Sequence, residues 1–270
     1  MQIKHAVRNA RPLELRIATA GWTIPRDVAA SFAQDGSGLE RYAARFNAVE
    51  VNTTFYRSHR ANTYGRWAQS TPRDFRFAVK LPRTITHHAR LVGVDKLLDA
   101  FRTEVAPLGE KLGPLLVQLP PSLAFEFSTM AAFFQDLRHR WPETIVCEPR
   151  HPSWFTADAE ALLIDYDIAR VAADPAPHPA AATPGGCSKV AYWRLHGSPR
   201  MYYSSYDEPK LSKLALKLST SAAREIWCVF DNTASGAAAS NAVALQSIMD
   251  RQDSNGSGTA REAPPRMRRT

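Results

Sequence analysis

Cysteine is scarce and long apolar runs are absent. The three thiols, Cys147, Cys187 and Cys228, are odd in number, widely spaced, and lack the paired spacing of a zinc ligand set. They read as reduced thiols of a cytoplasmic protein. Nowhere do about 18 consecutive apolar residues occur, so no segment is expected to span a bilayer and no membrane is expected as a partner. The N-terminal stretch MQIKHAVRNARPLELRIATAGW has no sustained apolar centre of the kind a signal peptide needs. A glycine-rich phosphate loop is also missing, because GSG at 36–38 and GG at 185–186 lack the required strand and helix context. No histidine cluster with helical or strand spacing points to a tight zinc or trinuclear centre.

What charge there is sits largely at the ends. Of the net +8, residues 1–15 carry +2 and residues 251–270 carry +3, which leaves only +3 for residues 16–250. The tail RQDSNGSGTAREAPPRMRRT has the composition of disorder. Its basic character would suit nucleic acid, although a merely solvated tail explains the same composition. With 270 residues, 44% of them apolar, the chain can bury a large single core. The expected organisation is an N-terminal extension over 1–14, one domain over 15–250 and a disordered basic tail over 251–270.

Short β-branched or apolar runs recur at 15–20, 47–52, 75–80, 114–118, 144–148, 168–173, 189–195 and 225–230. Between them lie amphipathic segments with helical spacing, such as VDKLLDAFRTEVAPL, STMAAFFQDLRHRW and PKLSKLALKLS. Eight strands alternating with helices predict a single α/β domain with the (β/α)8 TIM barrel architecture. After the sixth strand, DPAPHPAAATPGGCS is too rich in Pro and Gly for a helix, so a loop is expected in place of the sixth helix.

In such a barrel the C-terminal strand ends build the site. The second strand, in FNAVEVNTTFY, alternates apolar Val49 and Val51 with polar Glu50 and Asn52, and a polar face on a core strand is costly unless it lines a site. Other strands end alike, and the candidates at the mouth are Lys80, Gln118, Glu148, Arg150, His151, Asp174, Arg194, His196, Asp231 and Asn232. Glu50, Glu148, Asp174 and His196 offer oxygen and imidazole ligands for a divalent metal. Lys80, Arg150 and Arg194 alternatively clamp a phosphate or carboxylate, with His196 and His151 transferring protons. A purely stabilising network, Glu50 with Lys80 and Glu148 with Arg194, uses the same residues. A desolvated Lys80 could also form a Schiff base. Trp154 and Phe155 after the fifth strand, and Tyr202, Tyr203 and Tyr206 with Arg200 after the seventh, could stack on a base or sugar ring.

The motifs GW at 21–22, VEVNTTFYR at 49–57, DFRFAVKLPRTITH at 74–87, KLGPLLVQLPPS at 111–122, CEPRHPSW at 147–154, RLHG at 194–197 and VFDNTASGAAASNA at 229–242 resemble the domain of unknown function 72, or YecE-like, family. The resemblance spans roughly residues 16–250. It implies a TIM barrel similar in architecture to endonuclease IV and xylose isomerase, and no particular reaction. Two departures stand out: TIPRDVAASF follows Gly21 and Trp22 where the family often carries further aromatics, and Asp231 with Asn232 stands where an asparagine pair is expected.

Three function classes follow. The first is an enzyme acting on a phosphate- or carboxylate-bearing ligand, with phosphoester hydrolysis as one reaction and His196, Glu148, Glu50 and Lys80 as its catalytic residues. Asn52, Gln118, Arg150, His151, Trp154, Asp174, Arg194, Tyr203, Asp231 and Asn232 would then bind the ligand. The second is a non-catalytic nucleic-acid-binding protein, and the third a small-molecule lyase or isomerase on the same rim.

Overall fold

Short strands alternate with amphipathic helices throughout residues 14–257, the residues described by the computed structural model. The strands are β1 (Glu14–Thr19), β2 (Ala48–Val51), β3 (Arg76–Lys80), β4 (Leu112–Gln118), β5 (Ile145–Glu148), β6 (Ile168–Arg170), β7 (Ala172–Asp174), β8 (Gly185–Gly186), β9 (Val190–Leu195) and β10 (Glu225–Phe230). The helices are α1 (Gly38–Ala43), α2 (Ala61–Gln69), α3 (Asp95–Val105), α4 (Phe127–Arg140), α5 (Ala157–Asp165), α6 (Glu208–Ser219) and α7 (Ala237–Ser257). Glu14, expected in the extension, opens β1, and the rest of that extension lies outside the described residues. The expected tail begins inside α7, which runs to Ser257, and residues 258–270 lie outside the described ones.

The strands form two sheets, β1-β10-β9-β7 and β2-β3-β4-β5-β6-β8, parallel in every pairing except β6 with β8. Two links join them into a barrel-like arrangement. Beyond β1, Ala20 bridges Glu50, and Gly21 N donates to Glu50 O at 2.8 Å. On the other side, only Val171 separates β6, which pairs with β5, from β7, which pairs with β9. The single sixth strand expected from the sequence is therefore two short strands, each serving a different neighbour. Between β7 and β9 stand the 3-10 turn Pro179–Ala182 and the two-residue β8, in a segment where Pro175, Pro177, Pro179 and Pro184 remove backbone donors.

Local chemistry sets the helix starts. Ser37 and Glu40 form a capping box at α1, Thr156 accepts from Ala159 N at α5, and Asp207 accepts from Lys210 N at α6. Helix α3 buries Leu98, Phe101 and Val105, and α4 buries Met130, Phe133, Phe134 and Leu137, each along one face. These faces join the outward strand residues, such as Val49, Val79, Val117 and Cys147, in one large apolar cluster. A second, smaller cluster fills the inner side of the strands: Ala18, Ala48, Ala78, Leu116, Val146, Ala169, Val171, Val190, Tyr192, Trp227 and Val229.

Alternation along each strand then decides the site. Two residues beyond Ala48, Ala78, Leu116, Val146, Tyr192 and Val229 come Glu50, Lys80, Gln118, Glu148, Arg194 and Asp231, all on the inner side at the C-terminal strand ends. No helix among the described residues is long and apolar enough to cross a membrane.

Candidate functional site

At the centre of this polar layer is the Arg194 guanidinium, 1% exposed, with three carboxylates converging on it. Its Nε donates to Glu50 Oε2 (3.0 Å) and its Nη1 to Glu148 Oε2 (2.6 Å). Its Nη2 reaches Glu50 Oε1 (2.7 Å) and Asp231 Oδ2 (3.0 Å). The Tyr192 hydroxyl donates to Glu50 Oε2 at 2.9 Å. Burial alone would raise the Glu148 carboxyl, but Arg194, Arg150 and His196 outweigh it and hold it well below the usual carboxylate range. For Asp231 too, burial is overcome by Arg194, His196 and Lys80, and its pKa is lowered. Burial works against the Arg194 charge as well, yet Glu50, Glu148 and Asp231 more than restore it.

His196 is fully buried and uses both ring nitrogens inside the network. Nδ1 lies 2.9 Å from Asp231 Oδ2, while Nε2 lies 2.9 Å from both Glu148 Oε1 and Arg150 Nη2. With Nδ1–H donated to Asp231, a neutral ring accepts from Arg150 through Nε2. Gly197 permits the loop to turn back at this point: its φ is +92°, and a Cβ there would stand 2.7 Å from Ser204 O. The returning loop brings Tyr202 N to His196 O (2.5 Å) and the Tyr202 ring edge-on to the imidazole, with centroids 5.9 Å apart.

Besides Asn232, whose buried Oδ1 is unpartnered, Arg150, Asn52 and Lys80 have hydrogen-bonding capacity at this rim that no described residue meets. Arg150 donates through Nη2 to Glu148 Oε1 (2.5 Å), but its buried Nε has no partner. Asn52 donates weakly to Asp231 Oδ1 (3.5 Å), and its buried Oδ1 is unpartnered. The Lys80 side chain forms no hydrogen bond or ion pair among the described residues and instead sets Nζ 4.1 Å from the centroid of the Phe55 ring. Phe55 is held there by its neighbour Thr54, whose hydroxyl is 2.6 Å from Lys80 O and 2.8 Å from Val51 O. Gln118, half-buried and in register with Glu148, completes this side.

The remaining sequence candidates are placed elsewhere. Trp154 is core: it is fully buried, its Nε1 donates to Leu123 O (3.0 Å), and it packs on Phe125 and Phe134. His151 caps the turn Pro152–Trp154 by accepting from Ser153 N. Asp174, in register with the outward-facing Leu195, lines a 310 Å³ cavity against α6 with Trp193 and Tyr206. Asn232 donates to Ser204 O (3.0 Å) and Asn241 Oδ1 (2.8 Å), which ties two loops together. Tyr203 is half-exposed, with the Arg200 guanidinium 4.2 Å from its ring centroid. Of the ion pairs expected, Glu148 with Arg194 is present, but Glu50 pairs with Arg194 and not with Lys80. Sequence reasoning missed Phe55 as the companion of Lys80; the signal lay in its position five residues after Glu50, where the chain leaves β2 and crosses to the end of β3.

Among the described residues no group of three or more His, Cys, Asp and Glu side chains is arranged to hold a metal ion. The chemistry of the donor set gives the reason, since the carboxylates a cation would need already ligate the Arg194 guanidinium.

A parallel α/β fold with barrel-like strand order and a charged layer at the C-terminal strand ends defines the class of this protein. The model of the family described as protein of unknown function DUF72 matches residues 16–267, and the chain belongs to that family. It is 34% identical over 133 residues to the UPF0759 protein YecE of Escherichia coli strain K12, and 29% identical over 126 residues to the UPF0759 protein YunF of Bacillus subtilis strain 168. These matches cover 49% and 44% of this chain and 48% and 44% of the relatives, so the chain spans about half the length of the curated relatives it matches. Among solved structures, a DUF72 family protein of Thermotoga maritima superposes with a TM-score of 0.72 at 25% identity, covering 88% of this chain and 99% of that one. A DUF72 family protein of Enterococcus faecalis gives 0.73 at 21% identity, covering 87% and 95%.

Proposed function

We propose that the rim is the active site of an enzyme acting on a small phosphate- or carboxylate-bearing molecule, bound over a (β/α)8 barrel that closes through the Ala20 to Glu50 bridge. The observation that carries this reading is the Arg150 guanidinium, which is anchored on Glu148 and His196 while its buried Nε lacks an acceptor. A buried donor without a partner costs about 1–3 kcal/mol, and an anionic ligand oxygen removes that cost. Arg150 is thus the group that holds the anion. Arg194, expected to clamp the ligand, is committed to three carboxylates and acts as the scaffold. His196, expected to be the proton carrier, positions Arg150. Lys80 is a group at the rim able to exchange a proton near neutrality, because burial and then Arg194 push its amine down to about 8 against the pull of Asp231, Glu50 and Glu148. An uncommitted amine suits proton transfer at carbon, as in lyase and isomerase chemistry, better than phosphoester hydrolysis, since Arg194 engages the carboxylates that would activate a water.

Titration calorimetry and thermal denaturation with inorganic phosphate, acetate and citrate test this. At least one anion is expected to bind the wild-type chain and to lose at least tenfold in affinity with Arg150→Gln. Equal affinity of the variant, or binding of none, overturns the reading.

A second reading, base stacking on the loop after β9, is favoured by the half-exposed Tyr203 beneath Arg200. Fluorescence titration with a single-stranded oligonucleotide would show it as affinity lost on Tyr203→Ala; affinity unchanged by that substitution argues against it.

A further inference from the structure

The rim shares its carboxylates unevenly among its cations. Arg194 takes contacts from Glu50, Glu148 and Asp231, and Arg150 takes Glu148, which leaves Lys80 with no ion-pair partner among the described residues. Lys80 is nevertheless only 4% exposed. A buried ammonium without a carboxylate is costly, so a position needing only to be filled would be better served by Leu or Met. The chain instead supports the amine: Thr54 pins the end of β2 to Lys80 O, Phe55 offers its ring face to Nζ, and His87 packs edge-on to Phe55 with centroids 4.9 Å apart.

We propose that Lys80 is a covalent nucleophile whose Nζ forms an imine with the carbonyl carbon of an anionic aldehyde or 2-oxo acid bound at the rim. The proposal rests on the reading that this rim binds an anionic small molecule, and it specifies the substrate class. The unprotonated amine attacks the carbonyl carbon; the C–N bond forms as the π pair moves to oxygen. The carbinolamine then expels that oxygen as water, with the two amine hydrogens accounting for the hydrogens of the water. Nothing is oxidised or reduced.

Electrostatics supports the step. The charged groups facing Nζ are Glu50 on β2, Glu148 on β5, Arg194 on β9 and Asp231 after β10, with His87 beyond the Phe55 ring. Their sum with burial leaves the amine at about 8. Roughly a tenth of it is then unprotonated at pH 7, against well under a thousandth for an ordinary lysine.

The full chain is incubated separately with glyoxylate, pyruvate and pyridoxal 5′-phosphate, reduced with borohydride, and mapped by peptide mass spectrometry. The expected result is one dominant adduct on the peptide containing Lys80, lost in Lys80→Arg and in Lys80→Met while both variants keep a cooperative thermal transition. Adducts spread over the exposed lysines, or a dominant adduct that survives Lys80→Arg, overturn the proposal. So does competitive acetylation across a pH series in which Lys80 titrates like a surface lysine. If an anion binds through Arg150 but no probe is trapped on Lys80, the covalent step fails and the anion reading stands. If Lys80 is trapped while Arg150→Gln changes nothing, the anion reading fails instead.

Discussion

Arg194 and Glu50 meet through two parallel hydrogen bonds, Nε to Oε2 at 3.0 Å and Nη2 to Oε1 at 2.7 Å, although they belong to different sheets. The fork-to-fork pair ties β9 to β2 across the inner side of the strands. Because the same guanidinium also binds Glu148 and Asp231, its removal strands three buried carboxylates. Arg194→Ala is therefore expected to lower stability by roughly 3–5 kcal/mol, measured by urea denaturation. A variant as stable as the wild type that has lost anion binding would return Arg194 to the ligand side of the site.

The same network fixes the sign of the acid response. Glu148 and Asp231 have folded pKa values below their ordinary ones, so the unfolded chain binds more protons and stability rises with pH in that range. Their contribution is present in full above the unfolded values near 4 and is lost as pH falls through the folded ones. Glu148→Gln should lower stability at neutral pH yet flatten its decline in acid, as followed by circular dichroism in a pH series. A decline as steep as that of the wild type would show that Glu148 does not carry this linkage.

Trp154 and Tyr203, both named as ligand-binding candidates from the sequence, should separate cleanly. Trp154→Ala removes a fully buried indole and its hydrogen bond to Leu123 O, a loss of about 3–5 kcal/mol. Tyr203→Ala touches a half-exposed ring and should stay within about 0.5 kcal/mol. Comparable losses from the two, read in guanidinium denaturation, would contradict the placement of Trp154 in the core.

Period-two alternation carried far in reading this chain. It marks Glu50 with Asn52 and Arg194 with His196 as sharing one face in the sequence, and strand-end position adds Lys80, Gln118, Glu148 and Asp231. In the structure Glu50, Lys80, Gln118, Glu148, Arg194 and Asp231 all lie on the inner side of the strands. The parts it could not reach depend on distance between strands. Nothing in the spacing of Arg194 says that its guanidinium reaches Glu50 in another sheet, or that Lys80 is thereby left without a carboxylate. Alternation persists one residue past a strand end, as at His196 and Asp231, but not into the turns and loops beyond, where His151, Trp154 and Asn232 make the contacts described above. Asp174 failed for a different reason: the break at Val171 passes the chain from β5 to β9, and Asp174 then shares the outward face of Leu195.

Two glycines with the same backbone angle give a last, internally controlled prediction about the loop over His196. Gly21 and Gly197 both have φ of +92°, a conformation that costs an L side chain about 1–3 kcal/mol. At Gly21 an added Cβ meets nothing within 4 Å, so Gly21→Ala should show this backbone cost alone. At Gly197 the Cβ would lie 2.7 Å from Ser204 O and 3.1 Å from Asn232 Cβ, and Asn232 cannot yield easily because it is bonded to Ser204 O and Asn241. Gly197→Ala should therefore be the more destabilising of the two in denaturant unfolding. It should also push the 198–206 loop away, breaking the Tyr202 N to His196 O bond and moving the Tyr202 ring off the imidazole. The ring-proton shifts of His196 in NMR would report that movement, since an aromatic ring 5.9 Å away perturbs them. Equal stability losses with unchanged His196 shifts would mean that the loop absorbs the methyl group without leaving the site.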